Sequence, residues 1–256
     1  MPLILVTNDD GYRSAGIRSL AAALSSIGDV TIVAPLDEAS AIGHALTLRR
    51  PLRLEHVESR VYGVDGTPTD CVNIAITQVF KRLPDLVVSG INKGWNLGDD
   101  VTYSGTVAGA MEAALLGTQG IAVSLRQTRS EYDFTYAARA AASLAEALLT
   151  RPLPARTFLN VNVPKGQPRG VRVTVQSKRN HVTSVAERHD PKGRPYFWIE
   201  EGQNEWHPHD RSDYQVARDG YVSVTPLHCD LTAHDVLSAV EELALRADES
   251  GNRVIG

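Results

Sequence analysis

Cysteine is scarce in this chain: Cys71 and Cys229 are the only two in 256 residues. That usage suits a reducing compartment and excludes a disulfide-stapled secreted scaffold, so the expectation is a cytoplasmic protein with both thiols buried as small apolar groups. Long hydrophobic runs are missing too. Nothing approaches the roughly 20 apolar residues that cross a bilayer, and the start, with only Leu3 to Val6 apolar, no basic lead and no cleavage site, reads as a buried strand. No membrane partner is expected. Neither sign of charge dominates, since 26 basic against 30 acidic side chains leave a net charge of -4. Without a chain-wide positive field there is no expected stable nucleic-acid partner. Familiar phosphate machinery is absent as well: no G-x-x-x-x-G-K-[ST] and no G-x-G-x-x-G, and no G-x-S-x-G elbow. These absences argue against a P-loop NTPase, a dinucleotide dehydrogenase and a serine hydrolase.

What is present is a pattern of alternating strands and helices. Leu3 to Val6 predict a strand, Ile17, Leu20, Leu24 and Ile27 recur at helical spacing up to Gly28, and Val30 to Ala34 predict a second strand. Strand, helix and strand in about 35 residues make a βαβ unit, which implies a parallel sheet with helices on its faces. The pattern continues with a helix over Cys71 to Phe80 capped by Thr69, a strand from Asp85 to Ser89, a helix from Thr106 to Leu116 and a strand from Ile121 to Leu125. A longer helix over Tyr136 to Leu149 and a strand from Phe158 to Val163 complete an α/β, doubly wound, mostly parallel core over residues 1–165. Residues 166–256 change character. Their β-type runs, Val171 to Val175, Tyr196 to Ile199 and Tyr221 to Val224, predict a β-rich annex without a helix between residues 170 and 226, continuous with the core. A last amphipathic helix, Asp235 to Arg246, precedes a polar tail from Asp248 that is expected to fray.

Ligands of open α/β sheets gather beyond the carboxyl ends of the strands, and three clusters fall there. The first is Asn8-Asp9-Asp10-Gly11, whose adjacent carboxylates repel unless a cation or proton lies between them. Neighbouring side chains on a strand point to opposite faces, so both acids reach one ion only where the strand breaks, as Gly11 allows. The competing reading is a surface turn with Asp9 capping the next helix. The second cluster runs from Ser89 to Asp100, where Asn92 and Asn96 offer neutral oxygens to a hard cation or amide donors to a phosphate; the competing reading is a loop of Asx turns. The third, Tyr103-Ser104-Gly105-Thr106, opens a helix, and its free N–H groups and hydroxyls suit a phosphate or simply cap the helix. Together these are all-oxygen ligands, a set for magnesium or manganese more than for zinc. His207-Pro208-His209-Asp210 reads as a solvated loop, and Arg49, Arg50 and Arg53 as a solvated face or an attractor of anions.

The chain resembles the SurE family of stationary-phase survival proteins, metal-dependent 5'/3'-nucleotidases. The resemblance is carried by Asn8 to Gly11, Gly66 to Cys71, Ser89 to Asn92, Asn96 to Gly98, Tyr103 to Val107, Asp190 to Tyr196, Thr225 to Leu227 and Asp230 to His234, in the family's order along nearly the whole chain. It implies a Rossmann-like core, and hydrolysis of nucleoside 5'- and 3'-monophosphates with one divalent cation per subunit, magnesium or manganese, with calcium able to occupy the site in crystals. It implies metal ligands at Asp9, Asp10, Ser40 and Asn92, a phosphate pocket of Asn96, Ser104, Gly105 and Thr106, and catalysis by Asp9, Asp10 and Asn96. It further implies a homodimer or homotetramer built by a swapped C-terminal element and a β-hairpin. The Asp230 and His234 pair would fix that element or, alternatively, transfer protons. One departure stands out: the family carries Ser-Gly where this chain has Ser40-Ala41. A positive φ at that position would strain Ala41. The rival reading of the whole chain is a metal-dependent nucleotide sensor without turnover.

Overall fold

The computed structural model describes residues 1–126, 131–180, 183–201 and 205–249. In chain order its elements are β1 (Leu3–Thr7), α1 (Ala15–Leu24), β2 (Asp29–Pro35), β3 (Leu54–Glu58), β4 (Val61–Val64), α2 (Pro68–Ile74), β5 (Leu86–Lys93), α3 (Gly105–Leu115), β6 (Gln119–Leu125), α4 (Thr135–Thr150), β7 (Thr157–Val163), β8 (Val171–Val173), β9 (Arg179–Asn180), β10 (Thr183–His189), β11 (Pro195–Glu201), β12 (Glu205–Trp206), α5 (Asp213–Arg218), β13 (Val222–His228) and α6 (Leu237–Glu249). The main sheet has the order β3-β4-β2-β1-β5-β6-β7-β13-β8. From β4 to β7 every pairing is parallel, while β3 on β4 and β13 on β7 are antiparallel. This is the α/β, mostly parallel sheet that the alternating pattern predicts.

The parallel strands are apolar on both faces because helices cover both. Ile4 and Val6 pack with Ile17, Leu20 and Leu24 of α1 and with Ala141 and Leu148 of α4, while Leu5 between them faces Cys71 and Val72 of α2. Phe158 fills a third cluster with Val107 and Ala110 of α3. From β1 the chain moves to β2 on one side, and after α2 it returns to β5 on the other side of β1. The order reverses between β1 and β5, so a crevice opens at their carboxyl ends.

Several expectations shift. Helix α2 starts at Pro68, not after a Thr69 cap, because Thr67 and Asp70 form a reciprocal capping box: Asp70 N donates to Thr67 Oγ1 at 3.1 Å and Thr67 N to Asp70 Oδ2 at 2.9 Å. A six-residue helix, α5, capped by Ser212, lies in the stretch expected to hold none. Of the annex, β8 and β13 extend the main sheet. Among the described residues the β10–β11 ribbon pairs only with itself, exposing Phe197, Trp198 and Ile199. Helix α6 likewise exposes Leu237, Val240 and Leu243. The last helix is in place, but most of the tail from Asp248 lies outside the described residues. No described helix is long and apolar enough to cross a membrane.

Phe158 is the largest fully buried side chain. Phe158→Ala is expected to cost about 3–5 kcal/mol, read as a shift of the urea midpoint at unchanged slope; a loss below about 1 kcal/mol would contradict this placement of the core.

Candidate active site

Strand β1 ends at Thr7, and Asn8 to Gly11 turn out of the sheet, with Gly11 at a φ of 88°. Asn8 braces the turn: its Nδ2 donates to Gly11 O at 3.1 Å and to Ser14 Oγ at 2.8 Å. Ser14, not Asp9, caps α1. Asp9 reaches across the crevice to α3 instead, where Thr106 N donates to its Oδ2 at 3.1 Å and Thr106 Oγ1 to its Oδ1 at 2.5 Å. The approach needs Gly105, since a Cβ there would stand 2.8 Å from Asp9 Cβ. The positive end of the helix dipole then faces the carboxylate.

Asp10 has less support, from the backbone and the charge of Lys93. Its Oδ2 is buried and accepts no hydrogen bond among the described residues. Burial pushes the Asp10 carboxyl up from 3.8 to about 6, and the charge of Asp9 beside it adds to the rise while Lys93 opposes it. Burial also raises Asp9, with the Thr106 hydrogen bonds acting against that rise.

These acids open into a cleft of about 490 Å³ that Ser40, Asn92, Asn96 and Ser104 also line. A register shift between Gly90 and Asn92 of β5 marks a bulge at the point where the strand delivers Asn92. Asn92 Nδ2 donates to Gly94 O at 3.0 Å, leaving its carbonyl oxygen as the remaining acceptor. Ser40 lies on an exposed loop and donates to Glu38 Oε1 at 2.7 Å. The next residue, Ala41, adopts a φ of 53°, the left-handed conformation expected at the family's glycine position and costing an L-residue about 1–2 kcal/mol. The loop is tied down by Ala39 N on Asp9 O at 2.8 Å and Gly43 N on Tyr103 O at 2.9 Å.

The expected phosphate pocket divides in two. Asn96 and Ser104 line the cleft, whereas Gly105 and Thr106 lie buried behind the wall. Both Thr106 donors are given to Asp9, and Val107 N is given to Ser104 Oγ at 3.1 Å. The Gly105 N–H remains without a partner among the described residues. The cleft also holds Glu38, Lys93, Trp95, Asp100, Tyr103 and Tyr132, which were not expected as site residues. All but Glu38 and Tyr132 sit inside or beside the clusters read from sequence. Tyr132, just before α4, has no local signal at all. Arg50 and Arg53 pair with Asp65 and do not line the cleft, and His207 to Asp210 are exposed.

The family model described as Survival protein SurE matches residues 4–183. The chain belongs to the SurE family. A protein named 5'-nucleotidase SurE from Syntrophotalea carbinolica is 51% identical over 231 residues, 90% of this chain and 92% of that one. The 5'-nucleotidase SurE 1 of Thermus thermophilus is 48% identical over 246 residues, covering 94% and 97% of the two chains. The crystal structure of the SurE protein from Aquifex aeolicus superposes with a TM-score of 0.85 at 42% identity, over 95% of this chain and 100% of that one.

A divalent cation fits the SurE cleft of this chain. The donorless Asp10 Oδ2 is a buried carboxylate oxygen that costs free energy until a cation or proton meets it. Serine and asparagine oxygens would complete a hard-cation set beside the two carboxylates, since no three His, Cys, Asp or Glu side chains gather as a metal group anywhere among the described residues. The raised Asp10 carboxyl favours the fold when protonated, so in metal-free protein its contribution is full below 3.8 and lost as pH rises through about 6. Manganese is therefore expected to raise Tm more at pH 8 than at pH 5, where protons compete for Asp10. Asp10→Asn is expected to abolish that rise while leaving the metal-free Tm no lower. Equal shifts at both pH values would overturn the assignment.

Proposed function

We propose that this chain is a metal-dependent phosphomonoesterase that hydrolyses nucleoside 5'- and 3'-monophosphates to nucleoside and phosphate. The observation that supports it most is the pair of adjacent carboxylates at one cleft, Asp9 buried against the N-terminus of α3 and Asp10 half-buried with an unsatisfied oxygen. The named activity of relatives about half identical over nine tenths of the chain supports the substrate class.

In this reading Asp9, Asp10, Ser40 and Asn92 hold one magnesium or manganese ion. When bound, such a cation supplies positive charge that polarises a phosphoryl oxygen and lowers the pKa of water. Thr106 orients Asp9 by donating to both of its oxygens, and those bonds oppose the rise that burial imposes on its carboxyl. Asp9 or Asp10 would accept the proton of the attacking water, and Asp10 is the one with an oxygen that no hydrogen bond among the described residues engages. The Asn96 amide and the Ser104 hydroxyl, which line the cleft, supply the donors for the phosphoryl oxygens. The haloacid-dehalogenase signature places one residue between its aspartates, and the adjacency of Asp9 and Asp10 favours direct attack by water over a phospho-aspartate.

Residues 1–165 carry this chemistry, and 166–256 add assembly to it. Two elements with exposed apolar residues, the β10–β11 ribbon and α6, support a homodimer or homotetramer. His234 Nε2 lies 3.1 Å from Asp230 Oδ2 at the start of the C-terminal element, a geometry that suits a structural tie. Both cysteines are free, which supports a cytoplasmic location.

Phosphate release from AMP or GMP should require manganese or magnesium, and Asp9→Asn and Asp10→Asn should each lower it about 100-fold or more with the fold retained. Near wild-type turnover in either variant would remove the mechanism, and tight nucleotide binding without release would make the chain a sensor. Truncation before Asp230 is expected to give monomers or insoluble protein by light scattering. A native-size oligomer after that cut would show that α6 does not assemble it.

A further inference from the structure

Gly94 to Leu97 have no regular secondary structure, yet Asn96, Leu97 and Gly98 are buried. Buried irregular backbone needs side-chain partners for its polar groups. Here they come from far along the chain. Asn96 N donates to Asn162 Oδ1 at 2.9 Å, and Asn96 O accepts from Asn162 Nδ2 at 3.0 Å and Asn160 Nδ2 at 2.8 Å. Gly98 N donates to Asp213 Oδ2 at 3.0 Å, and Gly98 O accepts from Gln176 Nε2 at 2.9 Å. The Asn96 side chain is fixed as well, its Nδ2 donating to Ser124 Oγ at 2.8 Å.

The strand pattern explains why these groups converge. In β7 Leu159, Val161 and Val163 face the main core, and alternation puts Asn160 and Asn162 on the opposite face, both fully buried. Asn162 pairs in register with Ser124 of β6 and with Ser223 of β13, so a polar row crosses the sheet beneath the loop. An asparagine amide has two donors and an acceptor oxygen. With one N–H given to Ser124, the second N–H and the oxygen remain for the cleft that Asn96 lines.

We propose that Ser124, Asn160 and Asn162, extended by Gln176 and Asp213, are positioning residues that hold Asn96 in the one orientation in which its amide meets the substrate phosphate. The inference rests on the phosphomonoesterase reading and deepens it. By this account β7 and the segment after residue 166 build the phosphate pocket as well as the sheet edge, and the clamp acts on phosphate affinity through Asn96 alone. Ser124 touches the Asn96 side chain and so isolates orientation from loop placement.

The test is a double-mutant cycle on Asn96 and Ser124, read by KM and kcat for AMP and by calorimetric binding of inorganic phosphate in the presence of manganese. Ser124→Ala is expected to weaken phosphate binding and raise KM about 10-fold, with a smaller change in kcat and little change in Tm. In the Asn96→Ala background the same substitution should add nothing, because its only route is lost. Additive losses, or wild-type phosphate affinity in Ser124→Ala, would overturn the proposal. If Ser124→Ala does not fold, Gln176→Ala removes one bond from a less buried side chain and should weaken phosphate binding about 3-fold or more, again only while Asn96 is present; no such loss would overturn it. Failure of the enzymatic reading is distinct: wild-type protein would then release no phosphate from AMP, while the binding cycle would still report whether Ser124 acts through Asn96.

Discussion

Asp9 and Asp10 are neighbours in the chain, both drawn out of full solvation at the end of β1, and the rest of the site is organised around keeping that arrangement intact. Like charges so close raise each other's cost of ionisation, and burial raises it further. The protein offsets this unequally. Asp9 receives both donors of Thr106 and the field of α3, while Asp10 Oδ2 receives none. Full satisfaction of both would leave no incentive for a cation. In the proposed mechanism the unsatisfied oxygen is therefore the feature that would draw a cation to the pair.

From that pair the constraint spreads outward. Asp9 O holds Ala39 N and so anchors the loop that brings Ser40 to the cleft, and Gly43 N ties the same loop to Tyr103 beside the start of α3. Gly105 must lack a side chain for Asp9 to reach Thr106. Ala41, forced to a positive φ in this loop, shows that the loop path is set by its anchors and not by local preference. The opposite wall draws on both parts of the chain, since Asn96 finds its partners on β6 and β7 of the parallel sheet and Gly98 finds one on α5. Through Gln176 and Asp213, the segment after residue 166 thus fixes part of a loop that lines the cleft.

Periodicity and strand ends by themselves determined much about this protein. Apolar runs with helical stretches between them imply the parallel sheet, the break after β1 and β5 implies the crevice, and the composition of Asn8 to Gly11 and Ser89 to Asp100 implies an oxygen-rich site. Short or exposed elements were less legible. Strand β3 exposes every residue, so burial leaves no alternation to read, and α5 is too short to show a helical period. Only the tertiary structure decided which group each polar atom meets. It gave the Thr106 donors to Asp9 instead of to a phosphate, brought Tyr132 to the cleft, and set Asn160 and Asn162 under Asn96. The physical reason is that a hydrogen bond depends on distance and direction between groups 64 to 97 positions apart in the chain, whereas the sequence pattern reports only which face of a local element is buried.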